Sequence, residues 1–168
     1  LQFANEIAID LENENEKRKL ITMQHENDAK RIINDVLDFN KDKIIILYDD
    51  NWHFGVIGIV ASRIKELYNR PTIILTKEDG LYKGSCRSIG GYDIVNALHE
   101  CSDILENYGG HPMAAGLSIK ANNLNSFCTR MNEYSNKNLD KNLDPVINID
   151  SELKLSEINN RFIKFLDY

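Results

Sequence analysis

At 168 residues, with 42% hydrophobic content and a formal net charge of -6, the chain has the size and apolar content for one ordinary core. Its longest apolar stretches, such as 54–61, are too short to cross a bilayer, so no membrane span is expected. Between Asn51 and Ile119 six Lys/Arg face seven Asp/Glu, which excludes a basic surface that coats nucleic acid. A phosphate-bearing ligand would instead be held by a few placed groups.

The chain opens on Leu1-Gln2-Phe3-Ala4 without an initiator methionine, basic n-region or cleavage site, which reads as an internal cut through a longer protein. The first forty residues are predicted helical, with Phe3, Ile7 and Leu11 at every fourth position and Leu20, Ile32, Ile33, Val36 and Leu37 beyond a dense charged run. Asn13 and Glu16 offer a cap for a second helix within that stretch. Such an arm packs along one stripe, as a connector does.

A continuous apolar run within 43–48 predicts a strand buried on both faces. It passes through Asp49, Asp50 and His53 into a helix with Val56, Ile57, Val60, Ile64, Leu67 and Tyr68 inward and Pro71 beyond its end. A helix entered this way attracts anions at its N-terminus. His53 stands at that mouth, either as a local cap or as a ligand contact. A strand over 72–76, the tight-turn signal Glu78-Asp79-Gly80 and a strand over 81–88 predict a hairpin. Alternation puts Lys83, Ser85 and Arg87 on one face and Tyr82, Gly84, Cys86 and Ser88 on the other. A row of donors suits a phosphate. The same row also describes the solvated face of an edge strand.

All nine glycines fall between Gly55 and Gly116. Glycine loses the most conformational freedom on folding, so this concentration points to backbone approached closely by something else. Gly90-Gly91 break the chain before a helix that starts at Asp93, with Ile94, Val95, Leu98 and Cys101 inward and His99 outward. Residues 108–116 are expected to form a rigid small-residue loop that presents His111, with the Gly109 and Gly110 amides free to turn toward an anion. Leu117–Ile119 returns to the sheet, and a helix covers about 123–134. Beyond Asn138, a linker-like break at 140–145, a strand over 146–153 and a helix over 156–166 are expected to begin another domain. Cys86, Cys101 and Cys128 fit neither a zinc pattern nor a disulfide framework and read as buried, reduced thiols.

Taken in order, 53–63 (His-Phe-Gly-Val-Ile-Gly-Ile-Val-Ala-Ser-Arg), Arg70-Pro71, 84–88 (Gly-Ser-Cys-Arg-Ser) and 109–116 (Gly-Gly-His-Pro-Met-Ala-Ala-Gly) resemble the DHHA1 domain of bacterial RecJ-type exonucleases. Cys86 departs slightly, standing where that family often has alanine. The resemblance implies an α/β fold, a DHHA1-like mixed sheet flanked by helices and preceded by a long connector helix. It implies a connector over 1–40, a substrate-binding DHHA1 domain over 41–138, and over 139–168 a linker with the first elements of an OB-fold-like domain. It also implies a cytoplasmic, monomeric 5′→3′ single-stranded-DNA exonuclease of DNA repair and recombination. Mn2+ or Mg2+ would be held by an upstream DHH domain of the same polypeptide and none by this chain, which lacks an Asp-His-His motif. Arg87 with Ser85 would grip a DNA phosphate, with Ser88, Lys83 and His53 nearby, while His111 with the Gly109 and Gly110 amides reaches the phosphate at the metals. The alternatives are the DHHA1 module of an oligoribonuclease or phosphoadenosine-phosphate phosphatase, and a non-catalytic nucleotide-binding module.

Overall fold

A computed structural model describes residues 2–139, 143 and 149–166. The first element is one continuous helix, α1 (Gln2–Val36). No second helix begins at Asn13: the charged run pairs along a single helix instead, Lys17 with Glu14 and Lys19 with Glu16 at 2.6 Å each. The buried stripe also differs from the expected one. Phe3, Ile7, Leu11, Leu20 and Val36 are exposed, while Thr22, His25, Ala29 and Ile33 are buried. These four recur three to four residues apart, the spacing of one helix face.

The remaining elements alternate around a sheet: β1 (Ile45–Tyr48), α2 (Phe54–Tyr68), β2 (Thr72–Glu78), β3 (Leu81–Arg87), α3 (Ile94–His99), β4 (Leu105–His111), β5 (Ala114–Ile119) and α4 (Leu124–Asn138). Strand order is β1-β2-β3-β5-β4, with β1–β2 parallel and the other pairs antiparallel. This is the expected mixed sheet between helices, led by a long helix. Asp79 and Gly80, at φ 53° and 80°, turn β2 into β3 in two residues, which matches the right-handed twist of a hairpin.

Two apolar layers hold the sheet. Ala29, Ile33, Trp52, Ile57, Val60 and Ile64 pack with Ile45, Leu47 and Ile74 on the α1/α2 side. Ile73, Leu75, Tyr82, Cys86, Leu117 and Ile119 pack with Ile94, Leu98, Phe127 and Met131 on the α3/α4 side. Leu67, expected inward on α2, is exposed: it keeps the spacing of the buried Val60–Ile64 stripe but lies in the last turn of the helix, beyond the last buried residue. Cys86 and Cys101 are buried thiols, pushed by burial up to about 12 and about 11, and Cys128 is half-buried.

The expected loop at 108–116 is a hairpin. Gly109 and Gly110 lie within β4, and the turn is only Pro112 and Met113, since His111 already pairs with Ala114. The turn is pinned from outside: Ser88 N–H donates to Met113 O at 2.9 Å and Ile94 N–H to Pro112 O at 3.1 Å. In the tail, residues 149–154 carry neither helix nor strand, and 146–148 of the expected strand lie outside the described residues. A short 3-10 turn (Leu155–Glu157) and α5 (Asn160–Leu166) stand where one helix was expected. Most of the linker at 140–145 likewise lies outside the described residues.

Candidate nucleic-acid interface

Register puts five of the sequence-predicted residues, Lys83, Ser85, Arg87, Gly109 and His111, on one face. Directly paired residues share a face of a sheet, so three cross-strand rows follow from the pairings. Lys83, Ser118 and Asn107 form the first, Ser85, Gly116 and Gly109 the second, and Arg87, Ala114 and His111 the third. Helix α2 lies over β2 and β3 on this side, with Phe54, Gly58 and Ser62 one turn apart along it. Over β5 and β4 the same face is open: Asn107, Gly109, His111 and Gly116 are exposed. The result is a trough with α2 as its wall, a glycine waist, and cations or imidazole at both ends.

Packing separates the glycines by purpose. A Cβ on Gly58 would come within 3.1 Å of Ser85 Oγ and 3.2 Å of Arg87 Nη2, so this glycine lets α2 close on β3. Gly84 is wedged between Leu75 and Leu117. Gly110, at φ 150°, admits no side chain, because a Cβ would collide with Ala114 and Ala115. Gly109 and Gly116 differ. A Cβ on Gly109 would meet nothing within 4 Å, and one on Gly116 would meet only Gly84 O at 3.6 Å. Nothing among the described residues requires these two to be bare, and a strand interior ordinarily favours a side chain.

Arg87 is the best-positioned group in the trough. Its Nε donates to Ser62 Oγ at 3.0 Å, and its Nη1 donates to Ser85 Oγ at 3.1 Å and to Cys86 O at 2.8 Å. Those acceptors are neutral. The guanidinium is half-buried, makes no ion pair among the described residues, and leaves the two N–H groups of Nη2 without a partner there. By contrast, Lys83 is paired with Asp79 at 2.6 Å, so the expected acid-free row of donors holds at Arg87 and not at Lys83.

The other predicted residues divide. His111 joins the Arg87 row and is exposed. Ser88 stands apart from the trough: it is buried, and its hydroxyl donates to Tyr92 O at 2.5 Å, closing the Gly90-Gly91 turn. Gly110 falls opposite Ala115, on the other face from Gly109. His53 caps α2, with Nδ1 accepting from Gly55 N–H at 3.1 Å and its own backbone N–H donating to His25 Nε2 at 2.9 Å. His25 is buried, and burial holds its pKa below the ordinary 6.5. Ser62, Phe54, Asn107 and Ser118 escaped the sequence reading. Ser62 was findable, four residues after Gly58 on the same helix face. Asn107 and Ser118 needed the β4–β5 register. Among the described residues no group of three or more His, Cys, Asp or Glu comes together to hold a metal ion, and no helix is long and apolar enough to cross a membrane.

Comparison with known proteins agrees with this architecture. Residues 41–137 match the DHHA1 domain. The chain is similar to the single-stranded-DNA-specific exonuclease RecJ of Bacillus subtilis, 35% identical over 151 residues, and to that of Haemophilus influenzae, 38% identical over 164. These alignments take in 88% and 93% of the chain but only 19% and 28% of those proteins, so the chain spans about a fifth to a quarter of their length. The crystal structure of Thermus thermophilus RecJ in complex with Mn2+ superimposes over 76% of the chain and 18% of its own, with 31% identity and a TM-score of 0.66. The family match over residues 41–137, the similar sequences and the superposition thus converge, and the chain belongs to the DHHA1 domain family.

Proposed function

We propose that this chain is the substrate-binding wall of a 5′→3′ single-stranded-DNA exonuclease, gripping strand phosphates opposite a metal-bearing DHH domain of the same polypeptide. The observation that carries the reading is Arg87, a half-buried guanidinium oriented by two hydroxyls and a carbonyl, with no acid to neutralise it among the described residues. A fixed, uncompensated fork of N–H donors matches a phosphate in charge and geometry. His111, in the same row, adds a second donor at the open edge. The bare Gly109–Gly116 waist lets the sugar–phosphate chain lie against backbone.

In this reading the residues act by position. Ser62 and Ser85 fix the guanidinium before substrate arrives, so little order is lost on binding. Arg87 and His111 then stabilise charge that develops on the phosphoryl oxygens. Mn2+ or Mg2+ in the upstream domain would supply the activated water. The similarity to RecJ proteins, named for action on single-stranded DNA, favours DNA over a free nucleotide.

The test joins this chain to an upstream DHH segment and supplies Mn2+ with 5′-phosphorylated single-stranded DNA. Release of mononucleotides is expected, and Arg87→Ala is expected to slow it about 100-fold or more without unfolding the protein. Binding without turnover would make this a non-catalytic module. Preference for dinucleotides over long DNA would move it to the oligoribonuclease branch.

A further inference from the structure

The trough continues past its phosphate-binding end. Its other end is closed by Phe54, the first residue of α2, which is 47% exposed at the foot of the wall. Lys83 Nζ sits 5.7 Å from the ring centroid, and together they border a cavity of about 310 Å³ whose floor includes Asn107, Gly116 and Ser118. Lys83 is already paired with Asp79, so this end does not carry the uncompensated charge found at Arg87. The Asn107 amide and the Ser118 hydroxyl make no side-chain bond among the described residues. Four residues along β3 separate Lys83 from Arg87, about 14 Å at the rise of a strand.

We infer that Phe54 is a stacking platform for a nucleobase of the strand whose phosphate lies at Arg87, with Asn107 and Ser118 facing the edge of that base. The inference rests on the phosphate reading of the trough. Three observations select a base as occupant. Phe54 is half-exposed and faces a cavity continuous with the glycine waist. The adjacent charge is compensated, which favours a flat neutral group over a second phosphate. The floor offers both a donor and an acceptor, which an aliphatic occupant would leave unpaired. Stacking of this kind is tolerant of sequence, because every base has a π-face.

The test compares the 168-residue chain and its variants for binding to decathymidylate and to an abasic strand of the same length, both 5′-phosphorylated, by fluorescence anisotropy at low salt. The wild-type chain is expected to prefer the base-bearing strand about tenfold. Phe54→Ala should abolish that preference and leave affinity for the abasic strand unchanged, while Phe54→Trp should retain it. A preference that survives Phe54→Ala overturns the platform, as does an equal loss on both strands. Arg87→Ala reads the other half of the trough: it should weaken both strands equally, and unchanged affinity there would sink the phosphate reading while leaving the Phe54 comparison to be judged on its own.

Discussion

The contrast between Gly109 and Gly110 separates the proposed binding role from folding at single residues. Gly110 is bare because the hairpin leaves it no room and holds it at φ 150°. Gly110→Ala is therefore expected to cost about 2 kcal/mol or more, read as a lower midpoint in urea unfolding. Gly109 meets open space, so Gly109→Val should leave that midpoint within about 0.5 kcal/mol of wild type. The same substitution fills the waist and should weaken DNA binding about tenfold. Equal destabilisation by both would mean that the waist is structural. His111→Ala belongs with the second kind: the side chain is exposed, so the joined enzyme should lose turnover while its melting temperature holds. The exposure of His111 was legible in its sequence setting, between glycines and a proline, but its neighbours were not. Only the pairing of His111 with Ala114, and of Ala114 with Arg87, brings imidazole and guanidinium into one row.

Among elements, the joint between α1 and α2 has a pH dependence of its own. His25 accepts the His53 backbone N–H at Nε2, which requires a neutral ring carrying its proton at Nδ1. That Nδ1, and Trp52 Nε1 beside it, have no partner among the described protein groups, and the ring centroids are 6.3 Å apart. Charge on the ring is disfavoured by burial first and by His53, while Asp28 and Asp49 oppose this. Because the folded pKa lies below the unfolded 6.5, the unfolded chain binds the extra proton first as pH falls. Stability is thus fully present above about pH 6.5 and is lost as pH falls toward the folded value. Urea unfolding at pH 7.5 and 5 should show this loss in the wild type, and His25→Gln should remove that component. An unchanged pH profile in the variant would show that His25 is not its source. The sequence concealed this contact, since Thr22, His25 and Ala29 carry no apolar signature and the visible marks at Phe3, Ile7 and Leu11 are exposed. The β1–α2 unit and the β2–β3 hairpin were legible because a short apolar run before a helical period, and an Asp-Gly turn between two short strand-like runs, are strong local signals. The 105–119 hairpin was not. Gly, Ala and Ser leave no period-two hydrophobic pattern, so a strand pair there looks like a loop.

For the whole molecule, the two faces of the sheet do different work. Helices α3 and α4 cover one face with a continuous apolar layer. On the other, α1 and α2 cover only part, and β5 and β4 remain open beside Arg87. A net charge of -6 means that no general field draws DNA to the chain, so in the proposed function affinity comes from the trough, and the dependence on salt is expected to be shallow, with few phosphates contacted. The most direct measurement is a backbone amide NMR titration of the 168-residue chain with a 5′-phosphorylated oligothymidylate. Shifts are expected at residues 54–62, 83–87, 107–111 and 114–118, and they should vanish for Arg87→Ala. Shifts centred on α3 and α4, or a titration unaffected by Arg87→Ala, would contradict the assignment of this face as the phosphate-binding wall.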